Sequence, residues 1–180
     1  SFMADDTAAE TVWLSNSGAV STMEPGTVAI ECSTLSHGFV LELSAKINAN
    51  GCPYIDAPVT AIPAQVAAGE TMFLIGADNA VLDRVRPIMD AVANRIIHFG
   101  PIGSGTVYKL MNNLLGAVHI AAAAELVAVA QKAGLDGKLV AEAFTNGAVA
   151  SRVGVMTIPG MISGNHKEGV HFTTALRAKD

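Results

Sequence analysis

Charged and aromatic residues are scarce in this chain of 180 residues, at 15% and 5% of the total. Hydrophobic residues make up 51%, which excludes a disordered or fibrous protein and is enough for an ordinary buried core. The formal net charge is −5, and no basic stripe occurs along the sequence. A nucleic-acid partner is therefore not expected.

Cysteine and long hydrophobic runs are also scarce. Cys32 and Cys52 form no CxxC pair and have no histidine at metal-site spacing, so neither a disulfide scaffold nor a metal site is predicted. Reduced, cytoplasmic conditions suit such a chain. The most apolar window, residues 110–124, is shorter than the roughly 20 residues that a membrane-spanning helix needs, so no membrane is expected either.

Up to residue 99, short apolar runs alternate with helical segments, a pattern typical of parallel α/β units. Strands are predicted at about residues 26–31, 52–58, 71–77 and 95–99. Helices are predicted at about residues 7–14, 36–48, 63–68 and 78–92. The first part of the chain is therefore predicted to have an α/β fold.

After the glycine loop at residues 100–105, every predicted element is helical. A long helix from about Thr106 to Lys132 is expected to be buried all round, because most of its faces are apolar. Further helices are predicted at about 136–145, at 150–163 with a kink or break at Pro159, and from 170 onward. The loop thus marks the predicted boundary between an α/β domain, 1–102, and a helical domain, 103–180.

The strongest chemical signal is a polar group on the long helix. Asn112 and Asn113 lie one turn after Lys109, so one ammonium and two carboxamides share a helix face. The alternative is a lysine that reaches solvent, with asparagines that hydrogen-bond nearby backbone. The adjacent glycine turn and the predicted domain junction favour a ligand site, because small-molecule clefts form at such junctions.

Polar residues also follow two predicted strands. Ser33 and Thr34 come directly after the strand at 26–31, and the carboxyl ends of parallel strands are where α/β proteins bind ligands. An ordinary serine or threonine turn is the alternative. The segment 56–70 follows the next strand, and its backbone N–H groups are suited to bind an anion, unless it is a plain surface connection.

The glycine loop itself does not fit a nucleotide site. A dinucleotide fingerprint that includes Gly103 and Gly105 needs glycine or alanine at position 108, where Tyr108 stands. No phosphate-binding GK[ST] sequence occurs in the chain either.

Four segments in this order resemble motifs of the 3-hydroxyacid dehydrogenase family, which includes 3-hydroxyisobutyrate dehydrogenase and tartronate semialdehyde reductase. They are Ser33–His37 for its STxxP-like turn, Asp56–Ile62 for DAPVSGG, Gly100–Asn113 for GxxGxGxxxKxxNN and Leu176–Asp180 for LxxKD. The resemblance implies a partial Rossmann-like NAD(P)-binding domain, then an interdomain helix and a partial all-α domain. It also implies an internal piece of the enzyme, without the N-terminal nucleotide fingerprint and the C-terminal end.

The resemblance implies hydride transfer between NAD or NADP and a small 3-hydroxy acid or its semialdehyde. In this interpretation Lys109 is the catalytic acid/base. The implied substrate-binding residues are Ser33, Thr60, Ala61, Ile62, Asn112 and Asn113. The implied cofactor-binding residues are Met3, Ala4, Thr34 and Lys179. A homo-oligomer that buries the long helix is expected as well.

Two alternatives stay open at this point. An imine reductase belongs to the same superfamily, although a lysine at the proton-donor position favours hydroxyl chemistry. The other alternative is a non-catalytic dimerising module built on the apolar helix. One departure concerns the substrate: Thr60-Ala61-Ile62 replaces Ser-Gly-Gly, and a β-branched Ile62 does not adopt the positive φ that glycine allows.

Overall fold

The computed structural model describes residues 1–61 and 63–164 of the chain. Its helices are α1 Asp6–Leu14, α2 His37–Ala49, α3 Pro63–Ala67, α4 Asn79–Asp90, α5 Ser104–Lys132, α6 Gly137–Asn146 and α7 Arg152–Ser163. Its strands are β1 Ala29–Glu31, β2 Tyr54–Asp56, β3 Val59–Thr60, β4 Met72–Gly76 and β5 Arg95–Gly100. The predicted α/β fold is confirmed, and the element predicted from residue 170 onward lies outside the described residues.

Most helices begin where the sequence predicts, because a polar side chain accepts a hydrogen bond from the first turn. Asp5, Ser36, Asp78, Asp136 and Ser151 each act in this way at the start of α1, α2, α4, α6 and α7. Such caps satisfy N–H groups that have no partner inside the helix.

The sheet is mixed, so the expectation of parallel units throughout is wrong. Within the described residues β1 is parallel to β2 and β4 is parallel to β5, but β4 runs antiparallel to β2 and β3. The connection from β3 to β4 contains only the five-residue α3. The whole connection runs from residue 61 to residue 71, and this length, just under the dozen or more residues of a parallel crossover, favours an antiparallel return.

Strand β3 continues β2 along the same edge of β4. Asp56 lies opposite Gly76 and Thr60 lies opposite Met72, in one unbroken register. The backbone N–H of Leu74 donates to the carbonyl of Pro58, between the two pairs. The segment from Asp56 to Thr60 therefore behaves as one continuous strand beside β4.

Both faces of the sheet are covered. Trp13, Leu43 and Tyr54 belong to a core cluster between the sheet and helices α1 and α2. Ile55 and Leu82 belong to a second cluster, which packs the opposite face against α4. Because neighbouring strand residues point to opposite faces, Tyr54 and Ile55 serve different clusters, as in other layered α/β folds.

The described chain divides into two compact units, Ser1–Met111 and a second that begins at Asn112. In the second unit, Ala123 and Val127 of α5 pack with Ile158 of α7. Pro159 lies inside α7 and does not divide it. The domain bounds 1–102 and 103–180 stay a prediction.

Helix α5 is not buried all round, contrary to the expectation from its composition. Met111, Leu114, Leu115 and Val118 are exposed, with Leu114 at 67%. The described elements cover only some of its positions, among them Gly105, Thr106 and Ala123. By length and composition α5 is also apolar enough to cross a membrane, a test that core helices of soluble proteins pass as well.

Gly105 lets the first turn of α5 lie directly on β4. A Cβ at this position would overlap the carbonyl oxygen of Leu74 and come within 2.9 Å of the backbone nitrogen of Gly76. Both neighbours are backbone atoms in the sheet, so they do not yield as a side chain would.

We therefore expect Gly105→Ala to lower the free energy of unfolding by about 1–3 kcal/mol, the usual cost of overpacking. Gly116→Ala, on the same helix, is the matched control, because nothing lies within 4 Å of its added Cβ. It should stabilise the protein by up to about 1 kcal/mol through helix propensity. Urea unfolding of both variants tests this, and equal effects of the two changes would contradict it.

Candidate active site

The Asp56 carboxylate holds the start of α5. Its Oδ1 accepts a hydrogen bond from the backbone N–H of Gly103 at 2.7 Å, and its Oδ2 accepts one from Thr106 N–H at 2.8 Å. Asp56 is the last residue of β2 and is 1% exposed. An acidic group suits this place, because the first turn of a helix presents unpaired N–H groups and a partial positive charge.

Burial raises the pKa of Asp56 above its ordinary value of 3.8, although the N–H groups of Gly103 and Thr106 act to lower it. Folding thus favours the protonated acid. The raised pKa of Asp56 makes its full contribution to the free energy of unfolding below pH 3.8. This contribution is lost as the pH rises through the pKa of the folded state.

Lys109 lies on the second turn of the helix that Asp56 anchors. It is half-buried and belongs to the same compact unit as Asp56. Gly105, which packs on β4, precedes it by four residues, so the two residues share a face of α5. The face that carries Lys109 is therefore the one that begins against the sheet.

The two asparagines after Lys109 differ in burial. Asn113 is 9% exposed, whereas Asn112 is exposed. Helical geometry places Asn113 closer than Asn112 to the direction of Lys109, because a spacing of four residues rotates by only about 40°. Asn113 is thus the better candidate of the two for a ligand contact, and both roles stay predictions.

At the carboxyl end of β1, Glu31 organises a buried hydrogen-bond network. Its Oε2 accepts from the indole N–H of Trp13 at 2.6 Å, and its Oε1 accepts from the backbone N–H of Ser33 at 2.8 Å. The Ser33 hydroxyl donates to the same Oε1 and accepts from the backbone N–H of Met3. Glu31 is 1% exposed, and all three of its hydrogen bonds come from donors on the protein.

This network affects how Ser33 can act. A serine hydroxyl has one proton, and that of Ser33 points to Glu31. A hydrogen bond to a substrate carboxylate would have to replace this bond. The substrate-binding role of Ser33 stays a prediction, while its contact with the Met3 segment is observed.

The other predicted site residues lie at the ends of strands. Thr60 ends β3, and both Thr60 and Ala61 are half-buried. Among the residues that the structure describes, only glycines have positive φ, so Ala61 does not adopt a left-handed conformation. Thr34 is half-buried and Ala4 is exposed. Ile62 and Lys179 lie outside the described residues.

Other chemistries find less support in the described residues. Burial raises the pKa of the Cys32 thiol to about 11, so it stays protonated at neutral pH and is a poor nucleophile. Residues 1–61 and 63–164 contain no group of three or more histidine, cysteine or acidic side chains that could hold a metal ion.

Glu31 and Asp56 are the two buried acids beside the candidate site to which the sequence alone assigns no role. Both are acids at the last position of an otherwise apolar strand, in GTVAIE and CPYID. Acidic residues are almost never fully buried unless they have partners, so an acid in such a run indicates a cap or network. That signal was present in both strands.

Two family models match the chain. Residues 1–100 match the NAD-binding domain of 6-phosphogluconate dehydrogenase, and residues 103–180 match the NAD-binding domain of NADP-dependent 3-hydroxyisobutyrate dehydrogenase. The chain belongs to the 3-hydroxyacid dehydrogenase family. The resemblance seen in its motifs is thus confirmed.

Curated members of this family include close relatives of the chain. An NAD-dependent L-serine dehydrogenase of Pseudomonas aeruginosa is 36% identical over 133 residues, which are 74% of this chain and 45% of the relative. A probable 3-hydroxyisobutyrate dehydrogenase of Mycobacterium tuberculosis is 34% identical over 164 residues, or 87% of this chain and 55% of the relative. The chain thus spans about half the length of these relatives.

Solved structures agree with this assignment. A 3-hydroxyisobutyrate dehydrogenase of Mycobacterium tuberculosis, solved with L-serine, matches with a TM-score of 0.83 and 28% identity, over 99% of this chain and 62% of that one. Imine reductases match at 15–17% identity, which shows a shared fold alone.

We expect Asp56→Ala to destabilise the protein by at least about 2 kcal/mol, because it leaves two buried N–H groups without an acceptor, at about 1–3 kcal/mol each. Asp78→Ala is the matched control. Asp78 also begins a helix, but it is exposed, so water replaces it and the loss is nearer to about 1 kcal/mol. Denaturant unfolding distinguishes the two, and equal losses would argue against the anchoring role of Asp56.

Proposed function

We propose that this chain forms part of an NAD(P)-dependent oxidoreductase that acts on a small 3-hydroxy acid or its semialdehyde, with Lys109 as the acid/base. The observation that carries this proposal is the placement of Lys109. It lies on the helix face that begins against β4, on a helix whose first turn is held by the buried Asp56 carboxylate. The backbone of Lys109 therefore has a fixed position relative to the sheet.

The residues present fit the nicotinamide side of the cofactor. The Met3 backbone is held beside the carboxyl end of β1, and Thr34 follows the same strand. Ligands of α/β folds bind at this kind of strand end. When bound there, the cofactor would accept or supply the hydride. The 180 residues contain no fingerprint suited to its pyrophosphate, so we assign no pyrophosphate contact to this chain.

Lys109 supplies the chemistry that such a reaction needs from the protein. The oxygen of the substrate becomes alkoxide-like as hydride leaves or arrives, and a neighbouring ammonium stabilises that charge. The same nitrogen, Nζ, exchanges a proton with the oxygen. An ordinary lysine has a pKa near ~10.4, so action as a base in the oxidation direction requires surroundings that lower it.

The names of the relatives support the proposed substrate class. L-Serine and 3-hydroxyisobutyrate both carry a carboxylate and a hydroxyl on the carbon two bonds away from it, and relatives bearing these names match most of this chain. We propose that Thr60 and the backbone of Ala61 and Ile62 bind the carboxylate, and that Asn113 also binds the substrate. Since these residues replace Ser-Gly-Gly, the carboxylate site has a different shape, and the individual acid is left open.

We expect Lys109→Ala to lower kcat by roughly 10²- to 10⁴-fold, the usual contribution of general acid–base catalysis. The assay follows absorbance of the reduced cofactor with a panel of 3-hydroxy acids and either NAD or NADP. Lys132→Ala, which removes a lysine from the last turn of the same helix, is the control and should leave kcat within about twofold. Near-normal turnover by Lys109→Ala would refute the catalytic assignment.

We propose further that the enzyme is a homo-oligomer in the cytoplasm, with the apolar side of α5 covered by a second copy. Met111, Leu114, Leu115 and Val118 are exposed within eight residues of helix, a segment about 12 Å long. Both cysteines are free and buried, which suits a reducing compartment.

A charge in this patch should weaken the assembly. We expect Leu114→Lys to shift the protein towards the monomer in sedimentation-velocity experiments, because the lysine would be buried without a partner. Ile88→Lys is the control, since Ile88 is 66% exposed and belongs to a different helix, α4. If wild type is a monomer at micromolar concentration, the oligomer proposal fails.

A further inference from the structure

Two segments about 30 residues apart in sequence are joined by successive hydrogen bonds beside β1. The Ser1 nitrogen donates to the carbonyl of Ile30, and the Ser1 carbonyl accepts from the backbone N–H of Cys32, each at 2.8 Å. Met3 N–H donates to the Ser33 hydroxyl. Further along, the Asp6 carboxylate accepts from the backbone N–H and the hydroxyl of Ser36, at 2.9 and 2.6 Å.

The middle contact of this series differs from the other two, because it depends on a buried acid. The hydroxyl that receives the Met3 N–H is itself fixed by Glu31, which is in turn held by the indole of Trp13. Trp13 is buried on α1, the helix that follows the Met3 segment. The Met3 segment and the helix α1 that follows it are thus both tied to one carboxylate, Met3 through Ser33 and α1 through Trp13.

We infer that Glu31 and Ser33 form a positioning pair that fixes the backbone of the Met3 segment for the cofactor, so that Ser33 acts on cofactor binding rather than on the substrate. This inference rests on the proposed function, in which Met3 and Ala4 lie at the nicotinamide. Neither Glu31 nor Ser33 needs to touch a reacting atom.

The direction of the hydrogen bonds supports this assignment. The Ser33 hydroxyl accepts from Met3 and donates to Glu31, so its proton is already used. The Glu31 carboxylate can only accept, and donors from Trp13 and Ser33 occupy both of its oxygens. A backbone segment held in this way needs less ordering when a ligand binds, which strengthens binding.

Ser33→Ala tests the inference in the protein at its full length, because it removes the Met3 contact and leaves the Trp13–Glu31 bond in place. We expect the Kd for NAD or NADP to rise about tenfold, which corresponds to the loss of one such anchor. With saturating cofactor, the substrate KM should stay within about twofold. Hydrogen exchange, followed by mass spectrometry, should become faster in the peptide that contains Met3.

The opposite pattern of changes in the cofactor Kd and the substrate KM overturns the inference. If Ser33 binds the substrate carboxylate, as the family resemblance implies, Ser33→Ala raises the substrate KM and leaves the cofactor Kd unchanged. Unchanged exchange of the Met3 peptide would also overturn it, because the hydroxyl would then not hold that segment.

Glu31→Gln provides a second test, with Glu42→Gln as the control for loss of a carboxylate at an exposed position. A glutamine keeps the size of Glu31 but replaces one of its two oxygens with an N–H₂ group, which cannot accept a hydrogen bond. Either the Ser33 hydroxyl or the Trp13 indole therefore loses its acceptor. We expect Glu31→Gln to weaken cofactor binding in the same direction as Ser33→Ala, and the double variant to be no worse than the more severe single variant. Additive losses would contradict a shared role.

Failure of the proposed function gives a different result. Wild-type protein that binds neither NAD nor NADP removes the cofactor assignment and the role inferred here. The exchange rate of the Met3 peptide in Ser33→Ala then still decides whether Glu31 and Ser33 hold that segment.

Discussion

The bond between the Asp56 carboxylate and the start of α5 is the interaction on which the arrangement of the first unit depends. A single buried side chain ends β2, satisfies two N–H groups at the beginning of a 29-residue helix and brings Gly105 onto β4. The helix can approach so closely only because position 105 has no side chain. Hydrogen bonding and steric fit thus fix the same helix turn, and the orientation of the Lys109 face follows from both.

A second buried acid stands directly beside the first. Glu31 and Asp56 are partners in the pairing of β1 with β2, so their side chains point to the same face of the sheet. Two neighbouring carboxylates would be unfavourable without donors, and each has its own set: Trp13 and Ser33 for Glu31, and the first turn of α5 for Asp56. One acid thus orders the segment assigned to the cofactor, while the other orders the helix that carries the proposed acid/base.

Local signals explain what was predictable from sequence. The helix starts at Ser36, Asp78 and Asp136 follow from side chains that bond to the next turn of backbone, which requires no knowledge of the rest of the fold. The direction of β4 could not be predicted from its own residues, because an apolar run such as TMFLIGA reads the same in either direction, and the short connection before it was the one signal of the reversal. The hydrogen-bond network of Glu31 was equally hidden, since one of its donors, Trp13, lies 18 residues before it in the sequence. The exposure of α5 escaped prediction because an apolar face does not reveal what covers it.

The continuation of β2 into β3 has a mechanical consequence. Asp56 and Thr60 lie on one extended stretch of backbone, roughly 13 Å apart at about 3.3 Å per residue. Asp56 positions the helix that carries Lys109, and Thr60 is the residue proposed to bind the substrate carboxylate. Such a stretch cannot shorten or lengthen appreciably, so the start of α5 and the end of β3 are held at a constant separation.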